Sequence, residues 1–126
     1  MPVVHVVDDD KDVLGSLRFL LETEGFSVRT FRSPEALLSA LPSEAADCFV
    51  IDYKMPGMSG IDLAGALRRR AVNSPVILIT GYPDESIPVR AKAAGILRVL
   101  IKPHVEASLS AHIREAIEGN PPQVSL

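Results

Sequence analysis

The chain is poor in the residues that mark several common classes of protein. It has one cysteine, no tryptophan and only 5% aromatic residues in 126 positions. A single cysteine excludes an internal disulfide and fits a reducing compartment. Cys48 is followed by the apolar residues Phe49 and Val50, which predicts a buried structural thiol rather than a reactive one. No apolar run approaches the roughly 20 residues of a membrane span, and the first residues lack the pattern of a signal peptide. We therefore expect a cytoplasmic protein with no membrane partner.

Positive charge is also scarce. The 13 lysines and arginines against 16 acids give a formal net charge of -3. Because nucleic-acid binding needs a basic face, we expect no nucleic-acid partner for this domain. The only basic run, Arg68 to Arg70, is predicted to be a solvated helix end, where cations complement the helix dipole. The length suits one domain, and 47% hydrophobic residues are enough for a core.

Four short apolar runs each end on a residue that phosphoryl chemistry uses. The runs cover 3–7, 48–51, 76–79 and 97–101, and Asp8, Asp52, Thr80 and Lys102 follow them in that order. Such short β-branched runs are typical of buried strands in a parallel sheet. In an open parallel sheet the ligand crevice lies outside the carboxyl ends of the strands. We therefore expect these acids, the hydroxyl and the lysine to meet at one edge of the sheet.

Stretches with helical periodicity separate these strands and a further strand over 26–31. They predict five βα units, with helices on both faces of a parallel sheet. Asp10 is predicted to begin the first helix, and Ser33 with Pro34 the second. The last helix is predicted from the spacing of four apolar residues, Val105, Leu109, Ile113 and Ile117. We expect one domain over 1–119, a short C-terminal tail over 120–126, and a stand-alone protein.

The expected crevice would bring together several carboxylates, a lysine and a hydroxyl. Crowding Asp8, Asp9 and Asp52 should raise their pKa values, and a divalent cation such as Mg²⁺ would relieve the repulsion. A carboxylate can also act as a nucleophile and carry a phosphoryl group as an aspartyl phosphate. Lys102 would supply a second cation for the developing charge, and the Thr80 hydroxyl a hydrogen bond.

These residues resemble a known family. The segments 6–10, 52–60, 79–81 and 102–103 are similar to the motifs of the receiver domain of two-component response regulators, CheY-like domains, and most of all to FixJ-type receivers. The resemblance covers essentially the whole chain, in the right order. It implies an α/β, flavodoxin-like (βα)5 fold, with a doubly wound, parallel, five-stranded sheet of strand order 2-1-3-4-5.

The resemblance also implies a role for each site residue. Asp52 would be the phosphoacceptor, and Mg²⁺ would be held by Asp8, Asp9, Asp52 and the backbone carbonyl of Lys54. Thr80 would contact the phosphoryl group and move on activation.

Lys102 would pair with the phosphoryl group, and its bond to Pro103 would be cis. The donor would be a sensor histidine kinase, a phosphotransfer protein or a small phosphodonor. The output would be altered binding of the domain, as a monomer or weak dimer, to an unknown downstream protein.

Two departures from the family pattern bear on alternative functions. Receivers usually carry an aromatic residue three positions before the lysine, where this chain has Val99, and often Phe after Lys-Pro, where it has His104. The valine favours one alternative, a receiver-like, constitutive protein-binding module. A second alternative is a Mg²⁺-dependent aspartyl-phosphate phosphatase. Those enzymes carry a second Asp two residues after the nucleophile, and Lys54 at that position counts against this reading.

Overall fold

The computed structural model describes residues 1–41, 45–81, 84–102 and 108–119. Within them, five strands and five helices alternate along the chain. The strands are β1 (Val3–Val7), β2 (Ser27–Phe31), β3 (Cys48–Asp52), β4 (Val76–Thr80) and β5 (Arg98–Ile101). The helices are α1 (Lys11–Thr23), α2 (Pro34–Ala40), α3 (Gly60–Arg69), α4 (Ser86–Ala93) and α5 (Leu109–Glu118). The predicted series of βα units is confirmed.

The strands form one parallel sheet of order β2-β1-β3-β4-β5. This confirms the flavodoxin-like, doubly wound fold. β1 and β3 are neighbours, with Val7 opposite Ile51, although β2 lies between them in the chain. The direction of winding therefore reverses between β1 and β3. The carboxyl ends of these two strands form the switch point where such folds place their sites.

Each face of the sheet is covered by its own apolar core, and successive residues of β3 enter opposite cores. Cys48 and Val50 face the core shared with α1 and α5, whereas Phe49 and Ile51 face the core shared with α2, α3 and α4. All five residues of β3 are buried as a result. Burial on both faces explains why this strand is continuously apolar rather than alternating.

The prediction of a buried strand is wrong for β5. Leu97 is 54% exposed and Ile101 is 48% exposed, while Val99 and Leu100 are only partly buried. The physical reason is position, because β5 lies at the edge of the sheet and the described residues pair it with β4 alone.

Two helices begin as their sequences predict. A carboxylate oxygen of Asp10 accepts hydrogen bonds from the backbone N–H groups of Asp12 at 2.9 Å and Val13 at 3.3 Å. The Ser33 hydroxyl accepts one from Ala36 N–H at 3.0 Å, and Pro34 occupies the first turn. These side chains satisfy N–H groups that lack a partner within the helix.

The reading of the basic run as solvated is wrong for Arg68. Its guanidinium donates hydrogen bonds to the backbone carbonyls of Val72 at 2.8 Å, Ser74 at 2.9 Å and Gly95 at 2.8 Å. These carbonyls belong to two loops far apart in sequence, so helical periodicity alone could not reveal the contact. Arg68 therefore ties the end of α3 to the turn that precedes β5.

The last helix packs its predicted apolar seam. Leu109 and Ile113 are buried, and Ile117 packs partly buried against the same core. No helix among the described residues is long and apolar enough to cross a membrane. Four predictions fall outside the described residues, namely those for Pro103, His104, Val105 and the tail over 120–126.

Candidate functional site

Carboxylates from two neighbouring strands meet at the carboxyl edge of the sheet. Asp8 follows β1 and Asp52 ends β3, and both residues are buried, at 4% and 8% exposure. Asp9 is exposed beside them. Ligand oxygens of the three carboxylates all lie within 4.8 Å of one another. The structure therefore brings the three predicted acids together.

Lys102 reaches the same cluster from the edge strand. Its Nζ lies 3.1 Å from Asp52 Oδ1 and 4.0 Å from Asp8 Oδ2. Its backbone N–H donates a hydrogen bond to the Thr80 carbonyl at 2.9 Å, which continues the pairing of β4 with β5. This backbone contact holds the main chain of Lys102 in place, and the ion pair holds its ammonium group beside Asp52.

Burial dominates the electrostatics of the two inner acids. Burial raises the pKa of Asp8 most, a hydrogen bond from Asp10 N–H at 2.9 Å lowers it, and the negative charge of Asp52 raises it again, so that the pKa is about 6. Burial also raises the pKa of Asp52, although a hydrogen bond and the charge of Lys102 oppose the shift. The predicted rise in pKa is confirmed in direction for both residues, but desolvation rather than crowding is its largest cause.

The charges of the site do not balance without a further cation. Burial alone would lower the pKa of Lys102, but the hydrogen bond and charge of Asp52 outweigh it, so the pKa is raised and the ammonium persists at neutral pH. One ammonium faces three carboxylates. Hard oxygen donors at this spacing fit a hard divalent cation such as Mg²⁺.

The loop after β3 is held close to the phosphoacceptor candidate. Gly60 N–H donates to the Tyr53 carbonyl at 2.8 Å, and Gly57 adopts a left-handed φ of +83°. A Cβ on Gly60 would meet the Asp52 backbone oxygen and would lie 2.7 Å from Leu78 Cδ1. Only glycine lets α3 begin this close to the end of β3.

Lys54 itself is exposed and borders the depression that holds Asp52, Gly81 and Lys102. Its backbone N–H donates a hydrogen bond to the Asp52 carboxylate, which lowers the pKa of that group and partly offsets burial.

A reciprocal cap at the start of α3 was missed in the sequence. The Ser59 hydroxyl accepts from Asp62 N–H at 3.2 Å, and the Asp62 carboxylate accepts from Ser59 N–H at 3.2 Å. The signal was present as a Ser three residues before an acid, which is the spacing of a capping box. The cap stabilises the helix end that closes the loop after Asp52.

Thr80 is buried at the end of β4 and borders a cavity of about 370 Å³ on the side of α4 and β5. The described residues that line this cavity are Thr80, Asp84, Glu85, Ile87, Pro88, Val99 and Ile101. Most of its lining is apolar. Val99 lines this space from β5, and Ile87 and Pro88 line it from α4.

The fold and the site together define a class of protein. The sequence model of the family described as the response regulator receiver domain matches residues 4–114, and the chain belongs to this family. Receiver domains are signalling domains rather than enzymes with metabolite substrates, so the phosphatase alternative is not supported.

Named relatives agree with this assignment. The chain is 36% identical over 119 residues to the transcriptional regulatory protein FixJ of Bradyrhizobium diazoefficiens, covering 94% of this chain and 58% of FixJ. It is 35% identical over 123 residues to the response regulator protein TodT of Pseudomonas putida, covering 98% and 54%. The crystal structure of FixJ-N is similar at a TM-score of 0.86 and 36% identity, covering 100% of this chain and 98% of that one. The chain spans about half the length of the curated relatives it matches.

Proposed function

We propose that the chain is a phosphorelay switch in which Asp52 accepts a phosphoryl group. The donor would be the phosphohistidine of a sensor histidine kinase or phosphotransfer protein, or a small phosphodonor. The observation that carries this proposal is the contact of 3.1 Å between Lys102 Nζ and Asp52 Oδ1 inside a cluster of three carboxylates. A buried acid with its own lysine and further acids beside it suits a nucleophile whose product is strongly anionic.

The transfer needs one bond to form and one to break. A carboxylate oxygen of Asp52 attacks the phosphorus, the new P–O bond forms, and the P–N bond to the donor imidazole breaks as the imidazole leaves. The Lys102 ammonium, already beside Asp52, would bind an oxygen of the transferred group. The Thr80 hydroxyl would donate a hydrogen bond to another oxygen. Positioning and charge stabilisation of this kind supply most of the catalysis in phosphoryl transfer.

The carboxylates of Asp8, Asp9 and Asp52 and the backbone carbonyl of Lys54 would hold Mg²⁺. When bound, the ion would neutralise charge on the phosphoryl oxygens. Because it would bind only the folded chain, we expect Mg²⁺ to raise the melting temperature. At a hundredfold excess of Mg²⁺ over Kd, the free energy of unfolding should rise by about 2.7 kcal/mol. Asp9→Asn should remove most of this gain, and a parent melting temperature indifferent to Mg²⁺ would contradict the site.

The direct test is labelling of the acceptor. Incubation with phosphoramidate and Mg²⁺ should add one phosphoryl group by intact mass, and peptide mapping should place it on Asp52. Asp52→Asn should abolish labelling. Asp10→Asn is the matched control, because Asp10 adjoins the acidic pair but caps α1, a role that asparagine can also fill. Full labelling of the Asp52→Asn protein would exclude the assignment.

The output would be a change in binding to a downstream protein, in the cytoplasm, by a domain that is a monomer or weak dimer. We propose no nucleic-acid contact for this domain, in line with its net charge of -3. The cavity beside Val99 favours one other candidate, a receiver that binds its partner regardless of phosphorylation. Measuring partner affinity with and without phosphorylation separates the two, since only a switch changes affinity.

A further inference from the structure

Helix α4 buries little of its surface. Within the described residues it buries only Ile87 and Ala91. Each end has a side-chain hydrogen bond: Ser86 N–H donates to the Asp84 carboxylate at 2.8 Å, and Arg68 donates to the Gly95 carbonyl at 2.8 Å. Because so little of the helix is buried, small interaction energies can shift its position.

Tyr53, in contrast, has a firmly held backbone next to the proposed acceptor. Its N–H donates to the Ile79 carbonyl at 2.8 Å, and its carbonyl accepts from Gly60 N–H at 2.8 Å. Its side chain packs partly buried against the core beneath α3 and α4. Tyr53 follows Asp52 directly, so one peptide unit links the proposed acceptor to the Tyr53 side chain.

The side chains of Tyr53 and Arg90 join this loop to α4. Arg90 Nη1 donates a hydrogen bond to the Tyr53 hydroxyl oxygen at 3.3 Å. The guanidinium carbon also lies 5.9 Å from the centroid of the tyrosine ring, within the range of a cation–π contact. The hydrogen bond to Tyr53 is the largest cause that raises the pKa of Arg90, and the negative charges of Asp84 and Asp62 act in the same direction. The sequence gives no periodic signal for this pair, since 37 residues separate its members.

We infer that Tyr53 and Arg90 are positioning residues that couple the phosphorylation state of Asp52 to helix α4. The inference rests on the proposed function and goes beyond it, because it names the route in this chain. Val99 lacks the aromatic ring that receivers usually carry at this position, and its short, stiff side chain cannot swing between two positions. The Tyr53–Arg90 pair spans from the acceptor loop to the same helix by direct contact.

The test compares hydrogen exchange of the α4 amides over 89–93 in the free chain and in its complex with Mg²⁺ and beryllofluoride. We expect the complex to change these exchange rates in the parent protein. Arg90→Gln and Tyr53→Phe should each lose most of the change, and the double variant should lose no more than either single one, as for residues that act as a unit. Arg90→Lys, which keeps a donor and a charge, should restore part of it.

Lys92→Gln is the matched control, because it removes one positive charge from the same helix without touching Tyr53. The Lys92→Gln variant should keep the full change in the α4 exchange rates. A second readout follows from reciprocity of binding energies: the affinity for beryllofluoride should change by about threefold in Arg90→Gln, and not in Lys92→Gln. A role in folding alone would leave that affinity unaltered.

Phosphoramidate labelling of Asp52, measured by mass in every variant, separates two kinds of failure. A parent protein that is not labelled would reject the proposed function, and the inference with it. If the parent is labelled, three results would overturn the inference alone. These are a parent with no change in the α4 exchange rates, an Arg90→Gln variant that keeps that change, and a Lys92→Gln variant that loses it equally.

Discussion

Strands β3 and β5 both deliver a charged residue to the site, but they do so from different environments. β3 is buried throughout and ends in Asp52, with Gly60 packed against its last carbonyl. β5 lies at the edge, half exposed, and Lys102, which follows it, borders the open depression that also holds Lys54 and Gly81. The proposed acceptor therefore has a closely packed support, whereas the lysine comes from an exposed edge strand and the neighbouring α4 buries only Ile87 and Ala91. A switch needs both properties, since chemistry requires fixed geometry and signalling requires a displaceable element.

The largest expected effect tests the packing at the end of β3. Gly60→Ala should lower the free energy of unfolding by about 3 kcal/mol, because its Cβ would strike backbone and buried side chains that cannot yield. Gly15→Ala is the matched control in α1, where the added Cβ has nothing within 4 Å. It should raise stability by about 0.5–1 kcal/mol through helix propensity. Equal effects in urea unfolding would show that the end of β3 is no tighter than the surface of α1.

The next effect uses the buried thiol of β3 as a probe of its environment. Burial raises the pKa of Cys48 from 9.0 to about 12. A group whose pKa is raised on folding contributes stability that is complete below the unfolded value and is lost as the pH rises towards the folded value. The loss should approach about 1.4 kcal/mol per pH unit above about pH 9.

Cys48→Ala lacks this titration and isolates it from the other groups that ionise in alkali. Between about pH 9 and pH 11, the parent should lose about 2 kcal/mol more than the variant in chemical unfolding. Parallel pH curves for the two proteins would mean that water reaches the thiol, and that β3 is less enclosed than its burial indicates.

A third pair of substitutions compares the two strands directly. Val50→Phe in β3 should cost about 2 kcal/mol, because the core around it is filled. Val99→Phe in β5 should change stability by less than about 1 kcal/mol, because the ring can enter the adjacent cavity. Thermal unfolding of both variants measures the difference. If Val99→Phe is as costly as Val50→Phe, the β5 side is packed as tightly as the centre of the sheet.

The smallest effect concerns the turn that leads from α3 towards β4. Ala71 adopts a left-handed φ of +63°, a conformation that the described residues otherwise give only to glycine, at Gly25, Gly57 and Gly95. Ala71→Gly should therefore stabilise the chain by about 0.5–1 kcal/mol. Ala36→Gly, on the exposed face of α2, should destabilise it by a similar amount. If both substitutions lower the free energy of unfolding, Ala71 is not strained in its left-handed conformation.

Local patterns were enough to predict the elements and the site residues at their ends. Asp8, Asp52 and Lys102 follow apolar runs, and parallel pairing of those runs brings their side chains together. Contacts between remote segments left no such pattern. Arg68 looked like a solvated helix end because its carbonyl partners lie in other loops, and the Tyr53–Arg90 pair joins residues that only the packing of α4 makes neighbours.

The alternation of strands and helices along the chain, the caps at Asp10 and Ser33, and the residues at the strand ends can all be predicted from the sequence. They depend on periodicity and on hydrogen bonds between residues close in the chain. The exposed edge at β5, the cavity beside Val99 and the desolvation that raises the pKa of Asp8 emerge only when the sheet is assembled. Burial depends on which elements cover a strand, so a similar apolar run is enclosed between two helical layers in β3 and half exposed in β5.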